Sequence, residues 1–170
     1  MRTVVIGSGS WGTALAQGLQ DNHQEVLVYG VAEAEVNDIN ENHKNLKYFG
    51  DVELNPELKA TTDIQCVKGA DIVLLAVPTI AIDPICHQIN DILDKKTIII
   101  NVSKGFHPET NERMSEVIRR CIDEDKLSSV VSLIGPSHAE EVVIRLLTTI
   151  DAISLNNEDA VTVQNLFSNQ

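Results

Sequence analysis

The sequence predicts an α/β fold: a doubly wound, mostly parallel sheet with helices on both faces. Two observations carry this reading. Short β-branched and apolar runs bounded by turn residues recur along the chain, and between them lie stretches of helical length in which apolar residues return at three and four. Strands that alternate with helical crossovers pair in parallel, and a sheet covered on both faces has continuously apolar strands. The chain has 170 residues, 43% of them hydrophobic and 22% charged, which suffices for one good core and falls short of two ordinary domains. Residues 1–170 are therefore read as a single domain.

The elements follow in order. A strand over 3–6 is the β-branched run Thr3, Val4, Val5 and Ile6, stopped by Gly7, and a helix over 12–21 repeats Leu15 and Leu19. A strand over 25–29 leads to a helix over 32–41 with Val36 and Ile39 on one face. Residues 42–60 break the rhythm with polar side chains, Gly50 and Pro56, and read as a long functional loop. The run at 71–77 is a strand, and the helix over 80–93 carries Ile82, Ile85 and Ile89, with Pro84 marking its start. A strand over 97–102, a helix over 109–122, strands over 129–134 and 147–155 and a helix over 158–168 complete the pattern.

Composition excludes several functions. With 25 acidic against 13 basic residues the net charge is −12, which rules against a face that tracks nucleic acid or an anionic membrane. The 3 cysteines, Cys66, Cys86 and Cys121, contain no CxxC pair and read as reduced thiols of a cytoplasmic protein. No signal-type segment and no apolar run of about 18 residues occurs, so no membrane insertion is expected. The 5 histidines, His23, His43, His87, His107 and His138, fall at no metal-ligand spacing, and no metal is assigned.

Gly7-Ser8-Gly9-Ser10-Trp11-Gly12 is a G-x-G-x-x-G that follows the first strand and opens the first helix, the context of a Rossmann-like dinucleotide fingerprint. The first glycine permits the turn, the second lets the backbone approach a pyrophosphate, and the third lets the helix pack closely. Helix N–H groups then hold the anion locally, which an acidic protein requires. A glycine turn without ligand is the bland alternative. The acid that binds the ribose in NAD sites belongs at the end of the second strand. Here that strand ends Val28-Tyr29-Gly30-Val31, the next acid is Glu33, which reads more naturally as a solvated first-turn residue, and no arginine awaits a 2′-phosphate. The choice between NAD and NADP stays open.

Asn101-Val102-Ser103-Lys104-Gly105 and Gly135-Pro136-Ser137-His138-Ala139-Glu140-Glu141 follow later strands, at the edge where ligands of open α/β sheets bind. Lys104 there is either a clamp for an anionic substrate or a solvated loop lysine. Ser137 with Glu140 also satisfies a capping box, a structural role for the same hydroxyl.

Together with Leu75-Ala76-Val77-Pro78 and the Asn42-His43-Lys44-Asn45, Lys47-Tyr48 loop, these segments resemble the bacterial NAD(P)-dependent glycerol-3-phosphate dehydrogenases, in the same order. The resemblance covers essentially all 170 residues but only the amino-terminal, NAD(P)-binding half of that family. It implies cofactor contacts at Gly7, Gly9, Ser10, Trp11, Gly12, Tyr48, Lys104 and Ala139, and substrate contacts at Lys104, Gly135 and Ser137. The implied substrates are glycerol 3-phosphate and dihydroxyacetone phosphate, interconverted by hydride transfer for glycerophospholipid synthesis. The implied assembly is a homodimer in the cytoplasm. Two departures follow. Many members carry arginine where this chain has Val31, and the family's proton-accepting lysine would lie past Gln170 in a helical domain, so no catalytic residue is assigned here. The expectation is a chain that binds cofactor and turns over poorly by itself, with apolar surface left at the strand-end edge and last helix. Two other readings are carried: a free-standing NAD(H)-binding regulatory module, and another dehydrogenase on the same fold.

Overall fold

A computed structural model describes residues 1–168 and contains one sheet of 7 strands in the order β3-β2-β1-β4-β5-β6-β7. Strand β1 (Arg2–Ile6) is central, with β2 (Glu25–Tyr29) and β3 (Lys59–Thr61) to one side. To the other side lie β4 (Ile72–Leu75), β5 (Thr97–Asn101), β6 (Leu127–Ile134) and β7 (Asp151–Ile153). The winding reverses between β1 and β4, and all pairings are parallel except β6 with β7. Ile6 stands beside both Tyr29 and Leu75, Leu75 beside Asn101 and Asn101 beside Ser132, so the carboxyl ends of five strands meet at one edge.

Alternation along the strands feeds two cores. Val5, Leu74, Ile100 and Val131 pack with Leu15 and Leu19 of α1 (Ser10–Asp21), Val143 of α6 (Ala139–Val143) and Val163 of α7 (Asn157–Phe167). Val4, Ile6, Val73, Leu75 and Ile99 pack on the other face with Ile82 and Ile89 of α4 (Thr79–Asn90) and Val117 and Ile118 of α5 (Met114–Cys121). Each such side chain contributes about 1.5–3 kcal/mol by leaving water, which is why both faces of these strands are apolar.

The differences from the sequence reading have local causes. The helix expected over 32–41 is α2 (Glu33–Asn37) continued by a π-helical turn, Asp38–Asn42, that His43 closes at φ 53°. The expected loop contains α3 (Leu46–Phe49) and the edge strand β3, whose Lys-Ala-Thr carries no apolar run. The helix expected over 109–122 begins only at Met114, because 106–113 close on themselves. A bridge joins Phe106 to Arg113, and the Nδ1 atom of His107 accepts from the N–H groups of Glu109 and Thr110, at 3.3 Å each. The strand expected over 147–155 is the short, antiparallel β7. Pro84 is an interior residue of α4, past the N-terminal N–H groups that go unbonded anyway, so it deprives a carbonyl of its partner. The capping box is absent: α6 takes His138 as its N-cap, without a side-chain bond, which leaves Ser137 one residue too early. Exposed apolar side chains gather around β7 and the turn before it, with Leu147 103% and Leu155 88% exposed.

Candidate nucleotide-binding site

The three glycines of the fingerprint differ in what holds them. Gly7 sits at φ 119°, and a Cβ there would lie 2.3 Å from the carbonyl oxygen of Ala76 at the end of β4. A Cβ on Gly12 would lie 2.0 Å from the carbonyl oxygen of Gly7. Both are therefore required by the protein's own backbone. Gly9 is not: a Cβ there would meet only the Tyr48 hydroxyl, at 4.0 Å. Its open side is space that the fold leaves for something else. Gly9 is also the N-cap of α1 and offers no side-chain cap, and the first turn has no acid, so the leading N–H groups and the positive end of the helix dipole face that space. A cradle of bare N–H groups beside an open glycine fits the pyrophosphate of a dinucleotide.

The segment after α2 forms the wall of this cradle. Asn45, 1% exposed, donates from Nδ2 to the Ser8 carbonyl at 2.8 Å and to the Thr13 hydroxyl at 3.0 Å. Thr13 also donates to the Ser8 carbonyl, at 3.1 Å. These bonds fix the turn and bring Tyr48 over Gly9. Glu35, almost buried in α2, accepts from the Ser8 hydroxyl at 2.5 Å and from the Lys47 ammonium at 2.6 Å. The same ammonium lies 5.0 Å from the centre of the Tyr48 ring, and the Glu35 bond raises the Lys47 pKa above its ordinary value. Sequence reasoning passed over Asn45, Glu35 and Lys47 as individual site residues. Asn45 and Lys47 lie in the segment that carries the family resemblance, whereas no local motif distinguishes Glu35 from its neighbour Glu33.

Ser10 and Trp11 lie at the opening of α1, and the half-buried Trp11 ring packs against the core. Glu33 is exposed in the first turn of α2, as a solvated residue, and Val31 is 85% exposed. At the neighbouring strand ends the Ser103 hydroxyl donates to the Val77 carbonyl at 2.7 Å, tying the end of β5 to that of β4. Lys104 follows on the same edge, exposed, with no hydrogen bond or ion pair among the described residues. Gly135 follows β6, where a Cβ would lie 2.5 Å from the Thr149 carbonyl oxygen, so close backbone approach already requires glycine there. Ser137 and Ala139 are buried beside it, at the start of the five-residue α6. The fold thus joins Gly7, Gly9, Ser10, Trp11, Gly12 and Tyr48 in one cradle and sets Lys104, Gly135, Ser137 and Ala139 along the same sheet edge.

Away from this edge, Asp83, His87 and Cys121 place an oxygen, a nitrogen and a sulfur within 4.8 Å of one another. Spacing rules miss such a set because α4 and α5 each supply part of it. Asp83 is already paired with Arg120, at 2.9 Å, and that guanidinium holds its carboxyl below the usual range.

The sequence model of the NAD-dependent glycerol-3-phosphate dehydrogenase N-terminus matches residues 2–161. The chain belongs to this family. Among relatives of this glycerol-3-phosphate dehydrogenase family, the glycerol-3-phosphate dehydrogenase [NAD(P)+] of Listeria innocua is 44% identical over 169 residues, covering 99% of this chain and 50% of that enzyme. The enzyme of the same name from Streptococcus uberis is 41% identical with the same coverage. The crystal structure of a glycerol-3-phosphate dehydrogenase from Coxiella burnetii superposes with a TM-score of 0.90 at 25% identity, covering 99% of this chain and 51% of that one. The chain spans about half the length of the curated relatives it matches.

Proposed function

We propose that this chain is the NAD(P)-binding half of a glycerol-3-phosphate dehydrogenase, which interconverts dihydroxyacetone phosphate and sn-glycerol 3-phosphate and so serves glycerophospholipid synthesis. The observation that carries the reading is Gly9: the fold gives it no steric reason to be glycine, while the uncapped start of α1 faces its open side. The bound nicotinamide supplies or accepts the hydride. Gly9 and the leading N–H groups of α1 hold the pyrophosphate, and Ser10, Trp11, Tyr48, Lys104 and Ala139 complete the cofactor contacts. Lys104, whose ammonium has no partner among the described residues, holds the anionic substrate and polarises the reacting carbonyl, with Gly135 and Ser137 beside it. Exchange of the hydroxyl proton belongs to a lysine of the family's second half, and absence of a positioned acid or base costs about 10²–10⁴ in rate.

Calorimetric titration with NADH and NADPH at fixed salt tests this directly. Binding of either nucleotide is expected, and binding of neither removes the reading. Substituting Lys104→Met should weaken binding of the phosphate substrate and, to a smaller extent, of the nucleotide, since Lys104 is assigned to both; no effect on either ligand would point instead to a nucleotide sensor. Among the described residues no helix is long and apolar enough to cross a membrane. The proposal places the protein in the cytoplasm as a homodimer, and light scattering that finds only monomer at high concentration removes the assembly.

A further inference from the structure

We infer that Glu35 and Lys47 read the 2′ position of the adenosine ribose, with Glu35 selecting the nucleotide whose 2′-hydroxyl is free. This inference rests on the nucleotide site proposed above and names its selectivity. In dinucleotide folds the carboxylate that meets the ribose comes from the end of the second strand. That place is closed here. The residue after β2 is Gly30, and a Cβ there would lie 2.4 Å from the Ser8 hydroxyl oxygen and 2.7 Å from the Ser8 Cβ. Position 31 holds a valine, 85% exposed.

The carboxylate that does reach the spot arrives from α2. Glu35 bonds the hydroxyl of Ser8, the residue between the first two glycines of the fingerprint, so it lies against the cradle itself. Its side chain is 10% exposed, and a buried carboxylate is tolerated only when paired, which the Lys47 ammonium at 2.6 Å accomplishes. Each carboxylate oxygen takes one protein donor, Ser8 on Oε2 and Lys47 on Oε1, and each has lone-pair capacity left for a ribose hydroxyl.

The charges decide which nucleotide this arrangement suits. A 2′-phosphate would bring about −1.5 to −2 charges against a carboxylate. The lysines of residues 30–50 are both committed, Lys47 to Glu35 and Lys44 to Asp51 at 3.0 Å, so neither lysine of the cradle's wall stands ready to receive it. Lys47, 62% exposed at its side chain, is the group that a lost carboxylate would set free.

The test is titration of the 170-residue chain and of two variants with NADH and NADPH, read as the ratio of the two dissociation constants. The wild-type chain should prefer NADH. Glu35→Gln keeps the size and the Ser8 acceptor while freeing Lys47, and it should move the ratio toward NADPH by at least about fivefold. Lys47→Gln should move it the other way, by weakening NADPH more than NADH, and it decides the matter if the Glu35 variant does not fold. Ratios within about twofold of wild type in the folded variants, with both nucleotides still bound, overturn this inference alone. A wild-type preference for NADPH overturns it as well. If the wild-type chain binds neither nucleotide, the site reading has failed and this inference with it.

Discussion

Arg145 holds Asp21 in a two-point pair, Nε 2.8 Å from one carboxylate oxygen and Nη2 3.2 Å from the other, from a backbone at φ 65°. The left-handed residue closes α6: its N–H bonds the Val142 carbonyl and that of Leu146 bonds the Glu141 carbonyl, a helix-ending pattern that usually employs glycine. An arginine there bears about 1–2 kcal/mol of backbone strain and gains an exposed ion pair of under about 1 kcal/mol. Arg145→Ala should therefore destabilise the fold modestly, and Arg145→Gly should be more stable than Arg145→Ala by about 1 kcal/mol in urea melts. Equal midpoints for the two variants would remove the strain from the account.

His23 ends α1 in the same way, at φ 58°, with its N–H on the Gln20 carbonyl and that of Gln24 on the Leu19 carbonyl. No ion pair compensates it among the described residues. His23→Gly should raise stability by about 1 kcal/mol. A lowered melting temperature would contradict this.

The fingerprint glycines should separate by phenotype. Gly7→Ala and Gly12→Ala drive a Cβ into backbone oxygen at 2.3 Å and 2.0 Å, and each should cost more than about 3 kcal/mol or abolish folding. Gly9→Ala has room at 4.0 Å and should melt within about 0.5 kcal/mol of wild type. Its nucleotide affinity should nonetheless fall at least about tenfold, since the added methyl fills the cradle. Calorimetry on the folded variant decides, and unchanged affinity would place the pyrophosphate elsewhere.

Asn45→Ala removes two buried donors from the Ser8 carbonyl and the Thr13 hydroxyl. A loss of about 1–3 kcal/mol is expected, together with weaker nucleotide binding because Tyr48 is no longer held over Gly9. Denaturant melts and the same titration check both parts.

Burial pushes the thiols of Cys66 and Cys86 up to about 11 and about 12, from an ordinary 9.0. The unfolded chain ionises first, so the thiols' contribution to stability is fully present below about pH 9 and is lost as pH rises through 11 to 12. At pH near 8 a thiol reagent should label the native protein slowly, Cys86 most slowly, and all three thiols quickly once unfolded. Equal rates for Cys86 in native and unfolded protein would refute its burial.

The central sheet was legible because its strands are buried on both faces, and continuous runs such as Ile98, Ile99 and Ile100 resemble nothing else. The edges were not. Strand β3 is a strand because Leu27, Val28 and Tyr29 offer it a partner, and β7 because β6 does. The left-handed turn at Arg145 that precedes β7 leaves no glycine in the sequence to announce it. The candidate site divides similarly. The fingerprint was legible because its spacing is local, whereas Ser8, Glu35 and Lys47 meet only when β1, α2 and α3 converge.

The sequence alone determined the α/β class, the glycine turn after β1, the loops at the strand ends and the family, because each rests on residues within a few positions of one another. The tertiary structure decided the rest: that Gly9 is open while Gly7 and Gly12 are filled, that Gly30 excludes a side chain from the end of β2, and that Glu35 of α2 meets the Ser8 hydroxyl. These are contacts between segments far apart in the chain, and only packing brings such atoms within reach.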